Sequence, residues 1–450
     1  MTSAARSPQA ERPTPEHPAQ QRVLRVLVLC QALSGAGLAA GITVGALLAE
    51  QMLGSTGLAG LPSALFTGGA ALGSVGIGRL CQRWGRRPGL ALGYGTGAVG
   101  SLGVVLAAVA GSVPMLFVSL LVYGAGTAAN LLARYAGADL ASPARRGRAV
   151  STVLFATTFG AVIGPNLVHA TGNWAHSWGI PRLAGPFLLA TVAYGAASVA
   201  LAVLLRPDPL LLSRERAAEE EAAEPVSATG NAGRTDTRGV ATGTAVMVLT
   251  QLVMIAVMTM TPVHMQAHGH GTRATGLVIA LHVGAMYLPS PLTGLLVDRI
   301  GRLWLAAASG ATLLAAGALA ALAPPHSVAA LATALVLLGL GWNFGLVSGT
   351  ALITDALPVA TRARTQGLVD VGISLAGATG GAASGVVVAG AGFPGLGLGG
   401  GLLAVLLTPL ALLRLRAGSR QGDAGTDKLP KSAVPEGSSG TGAAAEPADH

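Results

Sequence analysis

GRLCQRWGRRPGL (Gly78–Leu90) sets four arginines within nine residues of a chain that is 51% hydrophobic and 10% charged. The frame returns in GLLVDRIGRLWLA (Gly294–Ala306), shifted by 216 positions. Both copies hold a glycine, a leucine two residues on, an arginine five on, a glycine seven on and an arginine eight on. The residues around these two stretches decide what kind of protein writes the same basic sentence twice.

On either side the sequence is almost free of charge. Soluble proteins carry about 25% charged residues, so a 450-residue chain at 10% lacks the surface charge of a water-facing exterior. Runs without Asp, Glu, Lys or Arg cover 26–49, 51–78, 88–133, 149–181, 183–205, 239–272, 274–297, 303–354 and 371–413. One helical crossing of a bilayer takes ~20 apolar residues, so three of these runs are double. The breaks fall near Gly111–Pro114, at APPH (Ala323–His326) and at GAGFPG (Gly390–Gly395). The expectation is an all-α integral membrane protein of twelve helices. The runs do not alternate in hydropathy, which argues against a transmembrane β-barrel.

Basic residues favour the cytoplasmic loops of membrane proteins. With the N-terminus inside, Arg22, Arg25, Arg83, Arg86 and Arg87 fall on the cytoplasmic side, as do Arg145, Arg146, Arg148, Arg299, Arg302, Arg362 and Arg364; Arg182 and Arg273 fall outside. A multi-pass protein of the cell membrane with both termini cytoplasmic is expected. The net charge of +9 then reports topology, not a nucleic-acid partner. Two cysteines, Cys30 and Cys81, make neither a disulfide framework nor a metal motif.

The chain divides into an N-terminal segment (1–21), a six-helix bundle (22–205), a cytoplasmic linker (206–238), a second six-helix bundle (239–416) and a Gly/Ser/Pro-rich tail (417–450) expected to be disordered. The linker carries the mixed-charge run RERAAEEEAAE (Arg214–Glu224). The 216-residue register extends beyond the basic loops: Arg148 is matched by Arg364, and Gly160 and Gly164 by Gly377 and Gly381 within one residue. Such a register is the trace of a duplicated transporter, here two halves related by pseudo-two-fold symmetry.

Gly78, Leu80, Arg83, Gly85, Arg86 and Arg87, with Gly294, Leu296, Asp298, Arg299, Gly301 and Arg302, resemble the loop signature of the major facilitator superfamily. GAVIGP (Gly160–Pro165) is similar to the helix-5 motif of its drug/proton antiporters, carried by Gly160, Gly164 and Pro165. The resemblance implies a twelve-helix fold, alternating access, and paired loops that latch the halves on the cytoplasmic side. Gln82 replaces the acid that the family usually has in the first loop, so that latch is expected to be softer. The helix-4 arginine of the family is absent from its usual position, where Leu120 stands, and Arg134 lies lower.

Polar residues inside a membrane mark function by default. In the family the cavity is lined by helices 1, 4, 7 and 10, and each of these holds one conspicuous amide here: Gln31, Asn130, Gln251 and Asn343. They are candidates for contact with cargo, or for bonding between helices. Asp370 and His282 are the candidates for proton coupling, against an arginine pairing and a satisfied core histidine respectively. HMQAHGHG (His264–Gly271) offers three histidines in an outer loop, but without a neighbouring carboxylate or cysteine it is read as no metal site. No phosphate-binding loop GxxxxGK[ST] occurs, and no catalytic cluster marks an enzyme. The expected function is monomeric secondary transport, with a small molecule as cargo, the lipid bilayer as surroundings, a proton gradient as drive and no cofactor. Export of small amphipathic molecules leads, and import or facilitated passage of a metabolite is the alternative.

Overall fold

The computed structural model describes residues 17–53, 61–223 and 235–407, and these are almost entirely helical. The first half contains α1 (Gln20–Leu53), α2 (Leu61–Trp84), α3 (Arg86–Ala110), α4 (Val113–Ala138), α5 (Arg146–Ser177) and α6 (Gly185–Leu204). A linker helix, α7 (Pro209–Ala223), follows. The second half contains α8 (Thr237–Ala267), α9 (Thr272–Tyr287), α10 (Ser290–Ile300), α11 (Arg302–Leu322), α12 (Val328–Ala356) and α13 (Arg362–Val405).

The expected breaks lie where local chemistry puts them. Gly111 ends α3 in the left-handed conformation, and Ser112 caps α4 through its side chain. Two prolines follow α11, and Ser327 caps α12. α13 is two helices joined at Gly392, whose φ of 69° kinks the chain ahead of Pro394. With α9 and α10 taken as one interrupted crossing, the halves hold six crossings each. That interruption departs from the sequence expectation of one continuous helix over 274–297. Pro289 has no amide hydrogen to donate to the preceding turn, and α9 stops two residues before it.

α4 and α12 are mostly enclosed, while α2 and α13 present much of their surface outward. Leu72, Val99, Val192, Leu322 and Val386 are each 65–79% exposed. Apolar surface of this kind on the outer helices is the mark of a lipid-facing exterior. Inside, small residues bring backbones together: a Cβ on Gly126 would stand 2.2 Å from Gly97 Cα, and one on Gly100 would stand 2.3 Å from Tyr123 N. This is close packing of the kind that drives helix association in lipid.

Candidate functional site

The halves meet at the end that carries the basic loops, through α2 against α13 and α10 against α5. The 216-residue register exchanges these two contacts. A Cβ on Gly78 would lie 3.0 Å from Gly367 Cα, and one on Gly294 would lie 2.0 Å from Ser151 Oγ and 2.7 Å from Gly147 O. The first glycine of each frame therefore permits close approach of the opposite half. The second makes a turn that a side chain would strain: Gly85 and Gly301 have φ of 97° and 100° as they lead into α3 and α11.

The fifth position of the frame seals each contact. Asp298 accepts hydrogen bonds from the Gly147 and Arg148 amides at 2.8 and 3.0 Å, at the N-terminus of α5. Gln82 accepts from the Ala363 and Arg364 amides at 3.0 and 3.2 Å, at the N-terminus of α13, and donates to the Ala360 carbonyl. Helix N-termini leave amides unsatisfied and carry partial positive charge, so Asp298 has an electrostatic advantage that Gln82 lacks.

Two arginine–aspartate–arginine groups flank the seals. Asp139 pairs with Arg86 at 2.8 Å and with Arg362 at 3.8 Å, and Gln366 takes a further bond from Arg86 at 2.5 Å. At the shifted positions, Asp355 pairs with Arg302 at 2.8 Å and with Arg146. The first group is buried, whereas the second is partly exposed, with Asp355 at 32%. Arg302 also donates to Pro143 O at 2.5 Å. Leu80 is half-buried and Arg83 and Arg299 are exposed, with Arg83 set over the Trp84 ring. Arg87 turns instead to the linker: its amide donates to Asp208, whose other oxygen caps α7, and its Nε donates to Ala202 O. A surface crevice of about 330 Å³ beside Trp84 and Asp208 lies at this junction, away from the interface between the halves.

One fully buried ionic contact breaks the symmetry. Arg134 Nη2 donates to Asp370 Oδ1 at 2.7 Å across the halves, and both side chains are fully buried. Tyr135 lies 3.4 Å from the same oxygen and under the guanidinium, while Arg134 Nε donates to Thr350 Oγ1 at 3.0 Å. Asp370 Oδ2 has no hydrogen-bond partner. Shifted by 216 residues, Arg134 maps onto Thr350 and Asp370 onto Leu154. Arg134 therefore touches its own counterpart on the pseudo-axis, and the pair has no duplicate.

The amides fall differently from one another. Gln31 donates to Thr157 Oγ1 at 3.1 Å and accepts from Tyr94 at 2.6 Å; Asn130 accepts from Ser34 at 2.6 Å and donates to Tyr194 at 3.1 Å. Asn343 accepts from Thr293 at 2.5 Å and donates to Ser290 Oγ and Met286 O, both at 2.7 Å. These three are buried and satisfied within one half, which is a role in joining helices. Gln251 is half-buried and accepts from Trp342 Nε1 at 2.7 Å, beside Tyr287 edge-on to the same indole. It is the least buried of the four. His282 is buried, bonded through Nδ1 to Leu335 O at 2.8 Å, with Nε2 unpartnered. Gly160 is buried against Gly35 of α1, its Cα 3.0 Å from where a Cβ on Gly35 would be. The helix continues through Gly164 and Pro165, whose surroundings lie outside the described residues. Sequence reasoning missed Arg134, Tyr135 and Gln366 as interface groups. The register held a signal for the flanking groups, because Asp139 and Asp355 are 216 residues apart.

The chain matches the family model of the Major Facilitator Superfamily over residues 27–289 and 244–444. It is 56% identical over 393 residues to the uncharacterised MFS-type transporter YdeG of Bacillus subtilis (strain 168), an alignment covering 87% of this chain and 91% of YdeG. It is 32% identical over 356 residues to the riboflavin transporter RfnT of Brucella anthropi, covering 78% and 85% of the two chains. Among solved structures, that of the human organic anion transporter MFSD10 superposes with a TM-score of 0.71 at 15% identity, covering 88% of this chain and all of that one. At that identity the likeness concerns the fold.

Proposed function

The chain belongs to the Major Facilitator Superfamily, and from that premise we propose that it is a proton-coupled exporter of small amphipathic molecules with Asp370 as its proton-binding group. The observation that carries the proposal is the buried Arg134–Asp370 pair, which spans the two halves and has no duplicate. A latch built twice serves closure in either half, whereas a group that senses the gradient is needed once. On this reading the basic end faces the cytoplasm of a cell-membrane protein with both termini inside. Segments 22–205 and 239–416 rock as the two halves of a monomer, joined by the linker 206–238.

In the conformation described, the basic end is closed and Asp370 holds Arg134. A proton arriving from outside binds the free Oδ2 and removes the charge that holds the guanidinium. Breaking a buried pair by removing one charge costs about 3–5 kcal/mol, enough to favour separation of the halves. With the basic end open, Asp370 releases its proton to the cytoplasm and cargo enters. Renewed pairing with Arg134 then closes that end again. Each cycle moves one proton in and cargo out, with no cofactor.

The cargo reading rests on Gln251 and Tyr287, both half-buried, with the Gln251 oxygen held by the indole of the buried Trp342. These groups favour flat, weakly polar molecules through stacking and one or two hydrogen bonds. The likeness to a riboflavin transporter agrees with a flat heteroaromatic cargo, and it also keeps import on the same fold as the second reading. The direction of cargo flux under an imposed proton gradient in proteoliposomes separates the two.

Asp370→Asn tests the coupling. Neutral asparagine imitates the protonated carboxyl, so uphill efflux should be lost while downhill exchange continues. His282→Gln is the parallel test of the weaker candidate. Proton-driven accumulation that survives in Asp370→Asn would remove Asp370 from the mechanism.

A further inference from the structure

Four of the chain's nine histidines gather where α8 ends, and transport as proposed uses none of them. α8 begins beside Ala356 at the basic end, and its 31 residues carry it to the opposite one. His264 and His268 stand one turn apart there, with ring centroids separated by 4.3 Å. His326, from the connection between α11 and α12, lies edge-on to His268 at 6.1 Å. His270 reaches the same connection, its Nε2 lying 2.9 Å from Pro325 O. His264, His268 and His270 are half-buried, and His326 is exposed.

The protons on two of these rings are directed by backbone. His268 Nδ1 lies 2.8 Å from the carbonyl of His264. A carbonyl only accepts, so the ring proton sits on Nδ1 and the Nε2 lone pair is free. By the same reasoning His270 keeps a free lone pair on Nδ1. Histidines that bind metals show this pattern, in which the other ring N–H is held by a carbonyl or carboxylate. His264 is oriented separately, stacked on Phe393 at 4.3 Å and 13°. Aromatic packing alone accounts for that stack, but not for the lone pair left free on His268 beside it.

We propose that His264 and His268 form a binding site for a late first-row divalent cation of the zinc, nickel and copper(II) group. Two imidazoles that share an ion at about 2.0–2.1 Å per nitrogen have ring centroids about 4.5–5 Å apart, which a small rotation of the observed pair supplies. Imidazole selects these ions over magnesium and calcium, which require oxygen ligands, and the stretch His264–Gly271 contains no carboxylate. Among the described residues no group of three donors is set to hold an ion. The ion therefore takes two protein nitrogens, with water or a rotated His326 completing its shell. Bound through His326, it would tie the end of α8 to the connection between α11 and α12.

The test uses the full chain, purified in detergent without a histidine tag, and zinc chloride as the probe. Calorimetry and equilibrium dialysis should find one zinc per chain, unaffected by excess magnesium. His264→Ala with His268→Ala should weaken binding at least tenfold. His268→Gln should do the same while leaving the stack of His264 on Phe393 in place, which guards against a variant that fails to fold. His176→Ala, at the end of α5, should bind as the parent does. Failure of the parent chain to bind zinc, or equal binding by His268→Gln, would overturn the site.

Discussion

Replacing Asp298 by asparagine should loosen the basic end by a calculable amount. The carboxylate is almost fully enclosed, at 3% exposure, and accepts from two amides at the start of α5, with Arg148 Nε a further 3.9 Å away. Asparagine keeps one acceptor oxygen and turns an amino group toward the second amide. One charge-assisted bond is lost, with part of the attraction to the helix N-terminus, together about 2 kcal/mol. At 1.4 kcal/mol per factor of ten, the ratio of closed to open basic end should fall roughly 30-fold. Glutamine at the same place should do better than asparagine. Gln82 shows why: its extra methylene lets the amino group turn away from the helix and donate to Ala360 O. Spin labels on Arg83 and Arg364, exposed on opposite halves, would report the distance across this end, and transport would be compared at equal membrane abundance. An unchanged distance distribution in Asp298→Asn, or glutamine no better than asparagine, would refute the reasoning.

Gln82→Asp should strengthen the other seal by about 1 kcal/mol, since it adds a charge at the N-terminus of α13; a lower fraction of open basic end in the same spin-label measurement checks it. Gly301→Ala should destabilise by about 1–3 kcal/mol through backbone strain alone, because its Cβ would meet nothing within 4 Å. Gly85→Ala should cost more, because there the Cβ would also stand 2.4 Å from Asp208 Oδ2 and displace it from the α3 N-terminus; thermal unfolding of the purified variants gives the order. A cysteine at Ser227 should resist impermeant reagents added outside intact cells, and efficient labelling would invert the proposed orientation.

The fold was legible because its main signals are one-dimensional. Charge-free length, the breaks at Gly111, Ala323 and Gly392, and one register shift suffice for twelve helices in two halves. The interruption at Pro289 was not, since a proline in a charge-free run reads equally well as a tolerated kink. The seals could be read because Gln82 and Asp298 belong to a repeat. Arg134 could not be assigned to Asp370, because their union is a property of how the halves close and leaves no spacing in the chain. The amides show the same limit: Asn130 and Gln251 look alike in sequence, and only the folded chain separates the buried Asn130, bonded between helices, from the half-buried Gln251. Three of the four histidines are visible together in His264–Gly271 and read as no metal site for want of a carboxylate or cysteine; only His326, 58 residues beyond His268, leaves no mark in the spacing.

The meeting of Arg134 with Thr350 has a bearing on assembly. A chain made from two copies of the first half would set one guanidinium against another on the axis, with no carboxylate opposite, since Leu154 stands where Asp370 is needed. Two copies of the second half would close without the arginine and leave both acids buried alone. Each half thus rejects itself and accepts the other. Synthesised as separate polypeptides, the two should find one another as an obligate heterodimer, with the rule of partnership written at a single point of contact.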